Sequence, residues 1–246
     1  MSKFELQDKI AIVTGGAGST GTRIALGYAK AGANVIVASR NQNNLDKVAA
    51  EIKSLGRESL AVATDICVPE QVDNMVKQTV DKFGRVDILV NTAGGILSFK
   101  KMEELSFEDW NADIAFNLTG TFLCCVAAGK VMIEQKNGKI INISSTAGIV
   151  ASPTWAHYGA AKAGVINLTK SLAAGWAQHN INVNCIAPGL IATEGVRRAG
   201  MLPPEKNEDG TPVPPVLFPP DPEDVAYLAV FLASVASNHI SGEVIP

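Results

Sequence analysis

Val13-Thr14-Gly15-Gly16-Ala17-Gly18-Ser19-Thr20-Gly21 stands between an apolar run at 9–14 and an amphipathic run at 20–31. The first run reads as a strand and the second, by its spacing, as a helix closed by Gly32, so the glycines occupy a strand-to-helix turn. Glycines allow a tight turn and close approach to the backbone. The first N–H groups of the helix, with its dipole, then favour a bound anion. Gly16-x-Gly18-x-x-Gly21 fits the general dinucleotide fingerprint; alone it says little, but a strand before and a helix after give it meaning. Gly15, Gly18, Ser19, Thr20 and Gly21 are therefore expected around a pyrophosphate.

The alternation continues outward. Strands are predicted at 34–39, 59–64, 86–91, 138–144 and 181–186, with a seventh starting at 240–245. Helices are predicted at 43–55, from Pro69 to about 83, over most of 107–134, at 155–178 and at 222–234. Strands apolar on both faces and separated by helices imply a parallel sheet covered on both sides: an α/β, doubly wound fold occupying 1–246 as one domain. The second strand ends about 20 residues past the glycines, where such folds meet the adenosine ribose. Ser39-Arg40 stands there and no acid does. An acid would bind a 2′-hydroxyl, whereas Arg40 offers a charge-assisted fork to a 2′-phosphate, so NADP(H) is favoured over NAD(H).

Composition narrows the function. The net charge is −3 with no basic run, which argues against nucleic acid or an anionic membrane as the main partner. Cys67, Cys124, Cys125 and Cys185 lack a C-x-x-C spacing, and His157, His179 and His239 are scattered, so no metal site is expected. Reduced thiols, no signal-like apolar core in residues 1–7 and no uninterrupted apolar stretch of spanning length point to a cytoplasmic protein.

Tyr158 and Lys162 lie four apart and share one helix face. An ammonium beside a phenol lowers its pKa from about 10, and such a phenol can exchange a proton with an alcohol or carbonyl oxygen near neutral pH. Ser145, at the end of an apolar run, can hydrogen-bond the same oxygen. His157 adjoins Tyr158 but points about 100° away on a helix, so it is not assigned to the substrate.

These motifs resemble those of the short-chain dehydrogenase/reductase family, in its branch of about 250 residues, over nearly the whole chain. Thr14-Gly15 with Gly21 is similar to its cofactor turn, Asp65-Ile66 to its adenine contact, and Asn91-Thr92-Ala93-Gly94 to its N-N-A-G motif. Asn117, Ser145, Tyr158 and Lys162 fall on its catalytic positions, and Pro188-Gly189-x-x-x-Thr193, with Ile191, on its nicotinamide side. The resemblance implies a Rossmann-like fold with a seven-stranded parallel sheet and a homo-oligomer, most often a tetramer. It also implies hydride exchange with a carbonyl or alcohol, with Tyr158 as acid or base. Lys162 would hold the nicotinamide ribose, Ser145 would polarise the substrate oxygen, and Asn117 would position a relay water. Ser19 departs from the usual glycine, Thr92 from the second Asn, and the chain stops at Pro246 where family members continue into V-D-G-G, which would leave the last strand short.

Gly200–Pro222 holds eight of the 12 prolines and cannot be a regular helix. A long irregular segment suggests a substrate lid at about 194–222. The substrate pocket is expected to draw on Gly95, Ile96, Ala147, Ser152 and Trp155, with Leu97 and Ile149 beside them. These suit a small hydrophobic or alicyclic carbonyl compound. The enzyme alternative is a 3-oxoacyl-[acyl-carrier-protein] reductase, for which Lys130, Lys136 and Lys139 offer docking charge. A catalytically silent NADP-sensing regulatory protein and a structural subunit are the alternatives of other classes.

Overall fold

The computed structural model of the chain describes residues 3–246. Seven strands, β1 (Ile10–Thr14), β2 (Asn34–Ser39), β3 (Ser59–Ala63), β4 (Ile88–Asn91), β5 (Gly138–Ile143), β6 (Ile181–Ile186) and β7 (Val244–Ile245), form one parallel sheet in the order β3-β2-β1-β4-β5-β6-β7. Alternate side chains enter two cores. Ala11, Val13, Val35 and Val37 pack beneath α1 (Ser19–Lys30), α2 (Gln42–Ser54) and, further along the sheet, α8 (Pro222–Ala233). Ile12, Ile36, Ala38 and Leu89 face α3 (Pro69–Phe83), α5 (Gly120–Gln135) and α6 (Ala156–Trp176). The buried Tyr28 hydroxyl donates to Ala229 O at 3.0 Å and joins α1 to α8.

The chain winds from β1 out to β3, then crosses to β4 on the other flank of β1. The reversal opens a crevice at the C-terminal ends of β1 and β4, where ligands of such sheets bind. Below it, Asn91 Nδ2 donates to Asn142 Oδ1 at 2.9 Å and Asn142 Nδ2 to Thr169 Oγ1 at 3.0 Å, tying β4, β5 and α6 together through buried, satisfied groups.

Three expectations are corrected or sharpened. The helix predicted over 107–134 is α4 (Phe107–Ile114), a π-helical turn (Ala115–Thr119) and α5. The strand predicted over 240–245 pairs only at Val244 and Ile245. Before them the backbone is held by side chains, Asn182 and Asn184 Nδ2 donating to Ile240 O and Ser241 Oγ accepting from Val183 N. The stretch Phe107–Gln135 does reach the length and apolarity of a membrane span. Half of its most apolar window is buried inside the fold, however, and Cys124, Cys125, Ala128 and Met132 form part of a core.

The segment after β6 carries a short helix, α7 (Glu194–Arg198), and an isolated bridge between Lys206 and Pro212. Its ends are clipped together. Ala192 N donates to Pro220 O at 2.9 Å, and Arg197 reaches Ala192 O at 3.2 Å and Asp221 Oδ1 at 2.7 Å. Arg198 pairs with Glu194.

Candidate active site

Two adjoining cavities occupy the crevice and share Thr92 and Gly94 in their walls. The first, about 290 Å³, is lined by Gly15, Gly18, Ser39, Arg40, Asp65, Ile66, Ala93 and Gly94 from the predicted set. Gly15 has φ +65°, and a Cβ there would meet Ala93 N at 2.7 Å and Thr92 Oγ1 at 2.8 Å. A Cβ on Gly21 would collide with Gly15 O, so both glycines let the turn, the helix start and the β4 loop pack on one another. Thr92 in place of a second Asn serves this packing, its hydroxyl donating to Thr14 O. The N-cap of α1, Gly18, makes no side-chain cap, and no acid stands in the first turn. The first N–H groups of α1 therefore remain available to an anion. Glycine cradle, free N–H groups and cavity together fit a dinucleotide.

Arg40 lies over the Phe116 ring at 5.7 Å and has no carboxylate partner among the described residues. Phe116, Asn41 and Asn44 also line this cavity. Sequence reasoning missed Phe116, which stands in the π-helical turn Ala115–Thr119 and which no motif marks. Asp65 Oδ1 accepts from Cys67 N at 2.9 Å, so this carboxylate is engaged in its own turn and does not cap α3, whose N-cap is Val68.

The second cavity, about 180 Å³, brings together Thr20, Gly94, Ser145, Tyr158, Lys162, Pro188, Gly189 and Ile191. Neighbouring Ser144 also borders the cavity, but its hydroxyl is buried and donates to Lys162 O at 2.7 Å, which leaves the Ser145 hydroxyl as the one open to a substrate. Ser145 and Tyr158 both line the cavity, close enough for the serine hydroxyl to act on the phenol's titration. Lys162 Nζ donates to Ile143 O at 3.0 Å and sits 5.5 Å from the Tyr158 ring centroid.

The expected lowering of the Tyr158 pKa is corrected. Burial pushes the phenol above its usual value, the Ser145 hydroxyl pulls it down and the Asp113 charge adds to the rise. Burial acts on Lys162 in the opposite sense, pushing it down to about 8. Both shifts follow from the cost of removing a charge from water. A phenol that stays protonated can donate its proton to a carbonyl oxygen.

Asn117 is fully buried in the π turn. Its Nδ2 donates to Gly95 O and its Oδ1 accepts from Gly95 N, both at 2.9 Å. The point where a Gly94 Cβ would stand lies 2.8 Å from Lys162 Nζ and 2.9 Å from Asn117 Oδ1, so the two groups converge over Gly94. Gly94→Ala is expected to push both aside, lowering turnover by up to about 100-fold. Both groups are buried and hydrogen-bonded, so Tm should fall as well, by an amount equivalent to about 1–3 kcal/mol; paired kinetics and thermal melts check this.

Several predicted residues line neither cavity. Ser19 is exposed at the first position of α1. Gly21 packs beneath the turn and Asn91 is buried in the network below. The Thr193 hydroxyl accepts from Val196 N at 3.3 Å as the N-cap of α7. Gly95 is held by Asn117, Ala147 N donates to Ser145 Oγ, and Ser152 and Trp155 form the turn entering α6. Ile96 lies in the loop after β4. These five flank the cavity in sequence without lining it.

A nucleotide crevice joined to a Ser–Tyr–Lys cavity defines an NAD(P)-dependent oxidoreductase acting on CH–OH or C=O groups. Residues 9–201 match the short chain dehydrogenase family model, and the chain belongs to that family. It is 40% identical to a 3-oxoacyl-[acyl-carrier-protein] reductase of Synechocystis sp., over 97% of this chain and 94% of that protein. It is 37% identical to the (2S)-[(R)-hydroxy(phenyl)methyl]succinyl-CoA dehydrogenase subunit BbsD of Thauera aromatica, covering 98% and 95%. Its fold is similar to NAD+-bound xylitol dehydrogenase, with a TM-score of 0.89, 28% identity and coverage of 98% and 97%.

Proposed function

We propose that the protein interconverts a small hydrophobic or alicyclic ketone and its secondary alcohol with NADP(H). The observation that carries the reading is the meeting of Tyr158, Ser145 and Lys162 in one cavity that adjoins the nucleotide crevice through Gly94. When bound, the nicotinamide supplies or accepts the hydride. Ser145 hydrogen-bonds the substrate oxygen and Tyr158 donates a proton to it during reduction, or removes one during oxidation. Lys162 holds the nicotinamide ribose, and with Asn117 borders the gap over Gly94 through which a water can return the proton. Arg40 binds the 2′-phosphate.

The apolar substrate class is supported by Leu97, Ile149, Val150, Leu190, Met201 and Leu217, all exposed. They lie in segments that follow β4, β5 and β6, and so rise from the same edge of the sheet as the cavity. The clipped segment 194–222 serves as the lid. The family implies a homo-oligomer, most often a tetramer.

The Synechocystis relative favours a second reading, reduction of a 3-oxoacyl thioester on a carrier protein. One of the three docking charges suggested for it fits poorly. Lys139 is partly buried against Ser237 and pushed down to about 8 by burial, and it stands at the start of β5, on the far edge from the cavity. A panel of ketones, diketones and 3-oxoacyl thioesters assayed with NADPH and NADH separates the two. Preference for thioesters replaces the first reading by the second, and turnover of none supports a silent sensor.

Lys162 gives a pH prediction. Its folded value of about 8 lies below the ordinary 10.5, so the ammonium is present below pH 8 and is lost as pH rises through it. NADPH affinity, followed by fluorescence titration, is expected to weaken about tenfold per pH unit above that point. Lys162→Met should weaken binding and flatten the profile.

A further inference from the structure

A buried carboxylate and imidazole lie behind the site, and the reaction gives neither a role. Asp113, on the last turn of α4, is fully buried, and His157, one residue before Tyr158 on α6, is 2% exposed. His157 Nε2 stands 3.2 Å from Ser98 O and 3.5 Å from Asp113 Oδ2. Ser98 O accepts, so Nε2 carries the hydrogen and donates it there, while Asp113 Oδ2, without a hydrogen-bond partner of its own among the described residues, stands at ion-pair distance from the same nitrogen. In a catalytic relay the carboxylate and the nucleophile use opposite ring nitrogens; here one nitrogen faces both the loop carbonyl and the carboxylate, which is the geometry of a clamp.

Asp113 Oδ1 accepts from Leu97 N at 3.5 Å and from Asn117 Nδ2 at 3.2 Å. Asn117 in turn brackets both backbone groups of Gly95. Gly95, Leu97 and Ser98, the loop leaving β4, therefore hang on three side chains from α4, the π turn and α6. The carboxylate also backs the direction of the Asn117 amide, which Gly95 and the backbone Asp113 O, 3.1 Å from Nδ2, set with it. A carboxylate only accepts, so Asn117 must turn Nδ2 toward it, which leaves Oδ1 on the side of Gly94 and Lys162. Burial pushes the Asp113 carboxyl up, and the adjoining His157 and the loop N–H groups hold it down.

We propose that Asp113 and His157 are positioning residues: the pair fixes loop 95–98 as one wall of the substrate site, and Asp113 braces the buried Asn117 amide that faces Lys162. The kinetic consequence rests on the ketone-reductase reading; the loop clamp does not. Neither residue touches the reacting atoms.

The test compares His157→Leu, His157→Gln and Asp113→Asn in the full chain. It uses hydrogen exchange of the peptide covering 95–101, NADPH affinity, and kcat and KM for the best ketone of the panel. In His157→Leu, exchange is expected to quicken and KM to rise about tenfold, with kcat within about threefold and NADPH affinity unchanged. His157→Gln keeps an N–H able to reach the same acceptors and should restore both values. Asp113→Asn should quicken exchange as well, because the loop loses the carboxylate that accepts from Leu97 N; Gly95 and the backbone Asp113 O still align the Asn117 amide, so kcat should stay within about threefold. Unchanged exchange in His157→Leu overturns the proposal, as does an equal defect in His157→Leu and His157→Gln, or a KM rise matched by lost NADPH affinity. Should His157→Leu not fold, Asp113→Asn carries the exchange test. A wild-type chain that turns over no carbonyl compound refutes the functional reading alone, and exchange then decides the clamp.

Discussion

Tyr158→Phe is expected to lose nearly all turnover while still binding NADPH. The substitution removes one hydroxyl, and with it the group that donates the proton to the substrate oxygen. Positioned acid–base groups contribute on the order of 10²- to 10⁴-fold, so kcat should fall by that factor. The Tyr158 ring packs beside Lys162 and phenylalanine keeps that ring, so the ammonium retains its neighbour and its bond to Ile143 O. Cofactor affinity should therefore change by less than about twofold. Loss of the phenol's interaction with Ser145 should lower stability by only about 1 kcal/mol. Single-turnover kinetics with NADPH, beside fluorescence titration and thermal melts, check each part. Normal turnover in this variant would remove Tyr158 from the chemistry.

Arg40→Asp should have the second largest effect, on cofactor choice. Arg40 is exposed at the end of β2, lies over Phe116 and has no carboxylate partner among the described residues. A guanidinium in that state can turn to a 2′-phosphate without giving up an ion pair. Charge-assisted hydrogen bonds contribute about 1.5–3 kcal/mol, or roughly 10- to 150-fold, and an aspartate there would also repel the phosphate. The kcat/KM with NADPH should fall by about 100-fold or more, with NADH equal or improved. Arg40→Ala should fall between, since it removes attraction without adding repulsion. If NADPH and NADH respond alike, Arg40 does not read the phosphate.

Much of this protein was legible in its sequence because the signals are local. The Gly15–Gly21 turn, the apolar strands, Pro69 at the start of α3 and the four-residue step from Tyr158 to Lys162 depend on neighbours in the chain. Less local features were not legible. The 107–134 run read as mostly helical, and it is, but composition gives no sign of the π turn at Ala115–Thr119, which comes with the buried hydrogen bonds of Asn117, whose partner Gly95 is 22 residues away. The Tyr158 pKa was expected to fall because Lys162 lies one turn along. Burial, which periodicity does not measure, reverses the sign.

By itself, then, the sequence determined the alternating strands and helices, the glycine turn between β1 and α1 and the placing of Tyr158 and Lys162 on one helix face. Each of these is written in residue type and in spacings shorter than a helix. Tertiary structure alone decided which residues line the cavities and where Asp113 and His157 meet. Those facts depend on which groups lose water and which distant backbone atoms remain to satisfy them, and both are settled only when α4, α6 and the loop after β4 close on one another.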